Sequence, residues 1–165
     1  MSARQSEKEA QNNPGTLYIV PTPIGNLSDM TERGIRTLLE VDYVAAEDTR
    51  HSKPLLQHVG SKARLIALHE HNEKQKTAAV MELLSNGLNV ALISDAGTPL
   101  ISDPGYIIVS SCRQQGLPVV ALPGPCAITT ALSGAGVATD RFSFEGFLAA
   151  KPQQRRKQLS ALAEE

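Results

Sequence analysis

Tryptophan is missing from this 165-residue chain, and three tyrosines and three phenylalanines supply all of its aromatic content. A core must therefore be assembled from Leu, Ile, Val and Ala, which favours a parallel sheet wrapped by helices. Cysteine is nearly absent as well. Cys112 and Cys126 are too few and too irregularly placed for a disulfide framework or a zinc ribbon, so a reducing cytoplasm is the expected compartment. Charge of one sign is not in excess: 16 basic residues meet 17 acidic ones, and the net charge of −1 provides no global field to draw in nucleic acid. Only local basic patches could do so. No run approaches the ~20 apolar residues of a membrane span. The first residues, MSARQSEKEAQNNPG, are polar throughout and lack the apolar centre of a signal peptide, so residues 1–15 are expected to form a flexible leader.

What is present is a rhythm. From Thr16 onward, short β-branched runs alternate with longer amphipathic stretches, the pattern of βαβ units. Strands are predicted at 16–20 (TLYIV), 42–46 (DYVAA), 64–68 (RLIAL), 89–94 (NVALIS) and 118–122 (PVVAL). Their starts lie about 25 residues apart, close to the ~30 of a strand-helix-strand unit. Helices are predicted at 30–39 with Ser28 or Asp29 as N-cap, at 73–85 closed by Asn86-Gly87, at 105–115 stopped by Gly116, and at 126–133. The strands are apolar on both faces, so a five-stranded parallel sheet covered by helices on both sides (αβα) is expected over residues 16–136. Beyond Gly136, residues 141–147 (RFSFEGF) alternate aromatic and polar, as a half-buried strand of another sheet would. Residues 137–165 are therefore expected to begin a second, mixed α/β domain, most of which is missing.

In an open parallel sheet, ligands bind beyond the carboxyl ends of the strands, where loops and helix N-termini converge. The segments following the five strands are PTPIGN (21–26), EDTRHS (47–52), HEHNE (69–73), DAGTPLISDPG (95–105) and PGPCA (123–127). The opposite connections, such as Glu40-Val41, Gly60-Ser61-Lys62 and Gly87-Leu88, are plainer. Any one of these loops alone reads more simply as a turn or a helix cap. Five on one edge read as a site. No G-x-G-x-x-G follows the first strand, and neither a P-loop nor a G-x-S-x-G elbow occurs. His69 and His71 alternate as metal ligands could, but no H-E-x-x-H or cysteine partner accompanies them, and a hydrogen-bonded surface pair is the simpler reading. No metal site is expected. The remaining backbone donors, small residues and few carboxylates suit a zwitterionic cofactor.

PTPIGNLSDMT, AAEDTRHS, LHEHNE, SDAGTPLISDPGY and LPGPCAITTALSGAG, in this order, resemble the tetrapyrrole methylase superfamily, the class III S-adenosylmethionine methyltransferases. The resemblance runs from Gly15 to Lys151 and is strongest to a branch that methylates the ribose 2′-hydroxyl of a cytidine in small-subunit (16S) ribosomal RNA. It implies an N-terminal αβα domain, a C-terminal mixed domain, S-adenosyl-L-methionine held in the cleft between them, and a homodimer in the full-length protein. Carried over by position, it implies Thr22 and Pro23 at the cofactor's rim and Gly97, Thr98, Ile101 and Ser102 along its methionine part. Cys126 and Ala127 would sit by the adenine or ribose. Asp95 is either an acceptor for the cofactor's amino group or a cap for its own turn. Cys126 reads as a packing residue, having no basic neighbour to activate it.

Transfer of a methyl group to a ribose hydroxyl needs in-line positioning and a group to take the proton. The strand-end candidates are Glu47, Asp48, Arg50, His51, His69 and Glu70. Glu47 or His69 is expected to accept the proton and Arg50 to engage a phosphate, with an internal salt-bridge cluster as the equal alternative for the EDTR segment. Arg155-Arg156-Lys157 is either an RNA contact or a solvated face. Two other readings stay open: a tetrapyrrole-type small-molecule methyltransferase, or a truncated module that binds cofactor or a partner without catalysis.

Overall fold

The computed structural model describes residues 13–69 and 72–163. The expectations for most of the leader, and for Glu70 and His71, lie outside the described residues. The described residues divide into two compact units, one running to Thr130 and the other starting at Ala131.

The first unit holds five strands, β1 Leu17–Ile19, β2 Tyr43–Ala46, β3 Arg64–Ala67, β4 Val90–Ile93 and β5 Val119–Ala121, each inside its predicted run. They form one sheet of order β3-β2-β4-β1-β5, and every pairing is parallel. Side chains alternate between the two faces, as the pleat requires. Leu17, Ile19, Ala45, Val90 and Leu92 join one buried cluster with Val80, Met81 and Leu84 of α3 (Glu73–Ser85) and Ile108 and Cys112 of α4 (Tyr106–Gln114). Val20, Val44, Ala46, Ala91 and Ile93 join the other, with Leu38 of α1 (Glu32–Glu40) and Leu56 of α2 (Thr49–Val59). The helices therefore cover both faces. That is why the strands read as continuous apolar runs rather than as alternating ones.

One helix, α2, lies where none was predicted, and the starts of α1 and α4 differ from expectation. Ser28 and Asp29 do not cap α1; they lie in a short 3₁₀ turn, Leu27–Asp29, and Thr31 takes the cap, its hydroxyl accepting from the Gly34 amide at 3.0 Å. The segment 47–52 is only partly a loop. Asp48 caps α2, which starts at Thr49 and runs on through Pro54. In α4, Gly105 stands at the N-cap position, so Pro104 lies before the helix.

In the second unit, residues 141–147 form no strand, and Phe142, Phe144 and Phe147 are exposed. Alternation marks a face, but a strand forms only against a partner, and the described residues offer none there. A helix, α6 (Pro152–Leu162), follows, with the Gln158 side chain accepting from the Ala149 amide at 2.8 Å. Between the units' regular parts, α5 spans Ala127–Gly134.

Candidate functional site

Because every strand runs the same way, the five strand-end segments share one edge of the sheet. Their arrangement has a focus. After β1 the chain enters α1 on one face; after β4 it enters α4 on the other. β2 and β4, also adjacent, send their connections apart as well: the connection from β2 runs outward to β3 and that from β4 runs the other way to β5, so the crevice of an open parallel sheet, its topological switch point, falls between β2 and β4, beside the β1 loop.

The β1 and β4 loops are joined by a two-residue antiparallel bridge. The Thr22 amide donates to the Gly97 carbonyl at 2.9 Å, and the Gly97 amide returns to Thr22 at 3.0 Å. The Thr22 hydroxyl, almost fully buried, donates to the Ser94 carbonyl at 3.1 Å, and the Ser94 hydroxyl donates to the Gly97 carbonyl at 3.1 Å. Thr22 is thus a stitch beneath the rim rather than a group on it. Thr98 extends the stitching sideways, donating to the Pro125 carbonyl of the β5 loop at 2.9 Å.

Between Asp95 and Gly105 the backbone is unusual. Gly97 has φ +85°, and two residues with side chains, Leu100 (+73°) and Ser102 (+64°), also lie in the left-handed region. Such conformations persist only where surroundings hold them, and they gather at ligand sites. Asp95 is exposed, as are Ile101 and Ser102. Burial pushes the Asp103 carboxyl above the usual range; the charge on Asp95 adds to this and the Ser94 hydroxyl opposes it.

Two hollows flank the β1 loop. One, of about 270 Å³, is lined by Pro23, Gly25, Asn26 and Leu27 of that loop, His51, Ser52, Pro54 and Leu55 of α2, and Ser94 and Asp95 beyond β4. The other, of about 350 Å³, is lined by Ile24, Asp29 and Thr31 on one side and Gly124, Pro125, Cys126, Thr129 and Thr130 on the other. The expected cofactor residues are therefore distributed. Pro23 and Asp95 share the first hollow, and Cys126 lines the second with Ala127 next to it at the start of α5. Thr22, Gly97 and Thr98 build the frame, while Ile101 and Ser102 lie on the β4 loop outside both linings.

The three catalytic candidates follow the paired strands β2 and β3. Glu47 follows β2, half-buried. Arg50, on the first turn of α2, points into solvent and holds Asp48 in a two-pronged pair, Nη2 to Oδ2 at 2.9 Å and Nε to Oδ1 at 3.2 Å. The Arg50 side chain and amide beside Asp48 hold its carboxyl down at about 2. His69 lies past β3, the edge strand, with Asn72 clasping it: the His69 amide donates to Asn72 Oδ1 at 2.9 Å, and Asn72 Nδ2 lies 3.0 Å from His69 Nε2. Cys126 has no basic neighbour, yet its thiol is drawn down by the amides of Thr129 and Ile128 at the head of α5. That influence comes from a helix end, which residue type alone does not disclose.

Sequence reasoning passed over several lining residues. Ser94 reads as the last residue of the predicted fourth strand and Ser52 as the last of the 47–52 strand-end segment, while Pro54 and Leu55 fall in a stretch with no predicted element. Only their placement on an α2 that reaches the crevice brings them in.

A model of the family described as Tetrapyrrole (Corrin/Porphyrin) Methylases matches residues 16–165. The chain is 57% identical over 161 residues to the ribosomal RNA small subunit methyltransferase I of Escherichia coli O157:H7, covering 98% of this chain and 56% of that protein. It is 58% identical over 151 residues to the protein of that name from Haemophilus influenzae, covering 92% and 53%, and 50% identical over 151 residues to that of Synechocystis, covering 92% and 54%. It thus spans about half the length of these curated relatives. Among solved structures, the uroporphyrin-III-C-methyltransferase from Thermus thermophilus superposes with a TM-score of 0.58 at 24% identity, over 75% of this chain and 54% of that one, a likeness of fold. With a matching family model over nearly its whole length and a parallel sheet of the same architecture, the chain belongs to the tetrapyrrole (corrin/porphyrin) methylases.

Proposed function

We propose that this chain is the cofactor-binding half of an S-adenosyl-L-methionine-dependent methyltransferase acting on the ribose 2′-hydroxyl of a cytidine in small-subunit (16S) ribosomal RNA. The observation that carries the reading is the hollow at the strand-end edge, lined by the β1 loop, α2 and the start of the β4 loop, with the exposed Asp95 on it and the Thr22–Gly97 bridge joining the two loops. The choice of substrate leans on the relatives' names.

The residues present fit such a cofactor. Gly97 adopts φ +85°, and a Cβ there would come within 3.3 Å of Ile24 Cγ2, so glycine lets the β4 loop pack closely against the β1 loop that lines both hollows. Both hollows are near the lower end of the size range of small-molecule sites. When bound, the cofactor supplies a sulfonium-activated methyl group. Asp95 is suited to receive its amino group by hydrogen bond and to favour positive charge. Thr98, Ile101, Ser102, Cys126 and Ala127 border its path. Glu47 or His69 takes the proton of the ribose hydroxyl, and Arg50, exposed on the rim, meets an RNA phosphate by exchanging Asp48 for it. The full-length protein works as a cytoplasmic homodimer on the small ribosomal subunit, its second domain beginning within residues 137–165.

Calorimetry with S-adenosylmethionine, followed by transfer of a tritiated methyl group to small ribosomal subunits, tests the reading in the full-length protein. Incorporation at a cytidine ribose is expected. Transfer only to a tetrapyrrole, or cofactor binding without transfer, replaces it. Arg50→Ala is expected to cut RNA methylation at least tenfold while cofactor affinity stays at the wild-type value; equal loss of both counts against the phosphate role.

A further inference from the structure

The first residue of α3 is a buried carboxylate that neither the fold nor the proposed chemistry absorbs. Glu73 is 6% exposed, and its Oε1 accepts from two backbone amides on the far side of the β4 loop, Gly105 at 3.1 Å and Ile107 at 2.8 Å. A buried carboxylate is costly unless its acceptor positions are filled, so this one holds its place through those two donors. The donors need it in turn. α4 opens at a glycine with no side chain to cap it, and Glu73 supplies from another helix both the acceptor and the negative charge that a helix N-terminus favours.

The position of this clasp gives it a consequence. The 95–105 loop carries four residues of positive φ, two of them non-glycine, and relaxes unless held at both ends. Its near end is fixed by the Thr22–Gly97 bridge and the Ser94 hydroxyl. Its far end is fixed by Glu73. We propose that Glu73 is a positioning residue that keeps the 95–105 loop in its cofactor-receiving shape from behind, touching no ligand itself. The proposal rests on the cofactor reading above. Its structural alternative is that Glu73 merely stabilises the packing of α3 against α4.

The test uses the full-length protein with Glu73→Ala, Glu73→Gln and Glu73→Asp. Amide exchange at Gly105 and Ile107 is measured without cofactor, S-adenosylmethionine affinity by calorimetry, and melting by circular dichroism. Gln keeps an acceptor oxygen at the same reach and is expected to remain within about threefold of wild type in both exchange and affinity. Ala removes both hydrogen bonds, and is expected to speed exchange at the two amides and weaken cofactor binding by roughly tenfold or more. Asp, one methylene short, is expected to follow Ala to a smaller extent, and it carries the test if Ala does not fold. A folded Ala or Asp variant that melts earlier and exchanges faster at both amides, yet binds S-adenosylmethionine with wild-type affinity, overturns the proposal. Unaltered exchange at Gly105 and Ile107 overturns it too. Wild-type protein that binds no S-adenosylmethionine defeats the cofactor reading instead, and exchange still decides whether the clasp holds the loop.

Discussion

Cys126 and Cys112 are the same side chain in opposite surroundings. Cys126 precedes α5, where the amides of Thr129 and Ile128 draw its thiol below the ordinary value. Cys112 is fully buried on α4, its sulfur 3.4 Å from that of Met81, and burial pushes its thiol up. Because the thiolate is the reactive form, iodoacetamide at neutral pH is expected to label Cys126 at least tenfold faster than Cys112, a ratio readable by peptide mass spectrometry. Asp48 offers a second test at this scale. Its carboxyl is lowered from 3.8 to about 2 by Arg50, so its contribution to stability is complete above the unfolded value and disappears as pH falls through the folded one. Asp48→Ala is therefore expected to lower the urea midpoint equally at pH 7 and pH 5. The gap to wild type should close between about pH 4 and pH 2. The role of Glu73 was not legible in the sequence for a related reason. An acidic residue in a helix's first turn reads as a local favour to its own dipole, and only the folded chain reveals that it serves a different helix.

Among elements, strands were the most legible. The three inner strands β1, β2 and β4 are buried on two faces, so apolar content, length and β-branching coincide there, and tertiary packing had little to override. Helix α2 was the least legible: TRHSKP is polar and ends in a proline, while the helix is held by its cap at Asp48 and by Leu56 beneath it. For the site, the edge was legible and the grouping was not, because whether Asp95 and His51 share a hollow depends on where α2 starts. Two substitutions probe the elements that frame the crevice. At Gly105 the backbone has φ +130°, and a Cβ would lie 2.7 Å from Leu92 Cδ2, so Gly105→Ala is expected to destabilise by roughly 1–3 kcal/mol in urea unfolding. Thr22→Val removes the hydroxyl bonded to the Ser94 carbonyl and is expected to cost about 1 kcal/mol. A midpoint unchanged in Thr22→Val would mean that the stitch contributes nothing.

For the whole molecule, the sheet order decides more than any side chain does. Chain direction alone gathers five segments on one edge, and the divergence of the β2 and β4 connections marks the middle of that edge. Among the described residues, no helix is long and apolar enough to cross a membrane. The irregular, exposed stretch from 135 to 150 contains Arg141, followed by Phe142, so within the described residues trypsin is expected to cut there before it cuts at Arg64 in β3, leaving the sheet intact. A cut at Arg64 in β3 ahead of one at Arg141 would contradict the ordering of stability that the two buried clusters imply.

Residues 23–31 act as a party wall: Pro23, Gly25, Asn26 and Leu27 form one side, Ile24, Asp29 and Thr31 the other. Any coupling that this shared wall carries between the chambers beside α2 and α5 must be reciprocal, a guest in either changing the affinity of the other by the same factor.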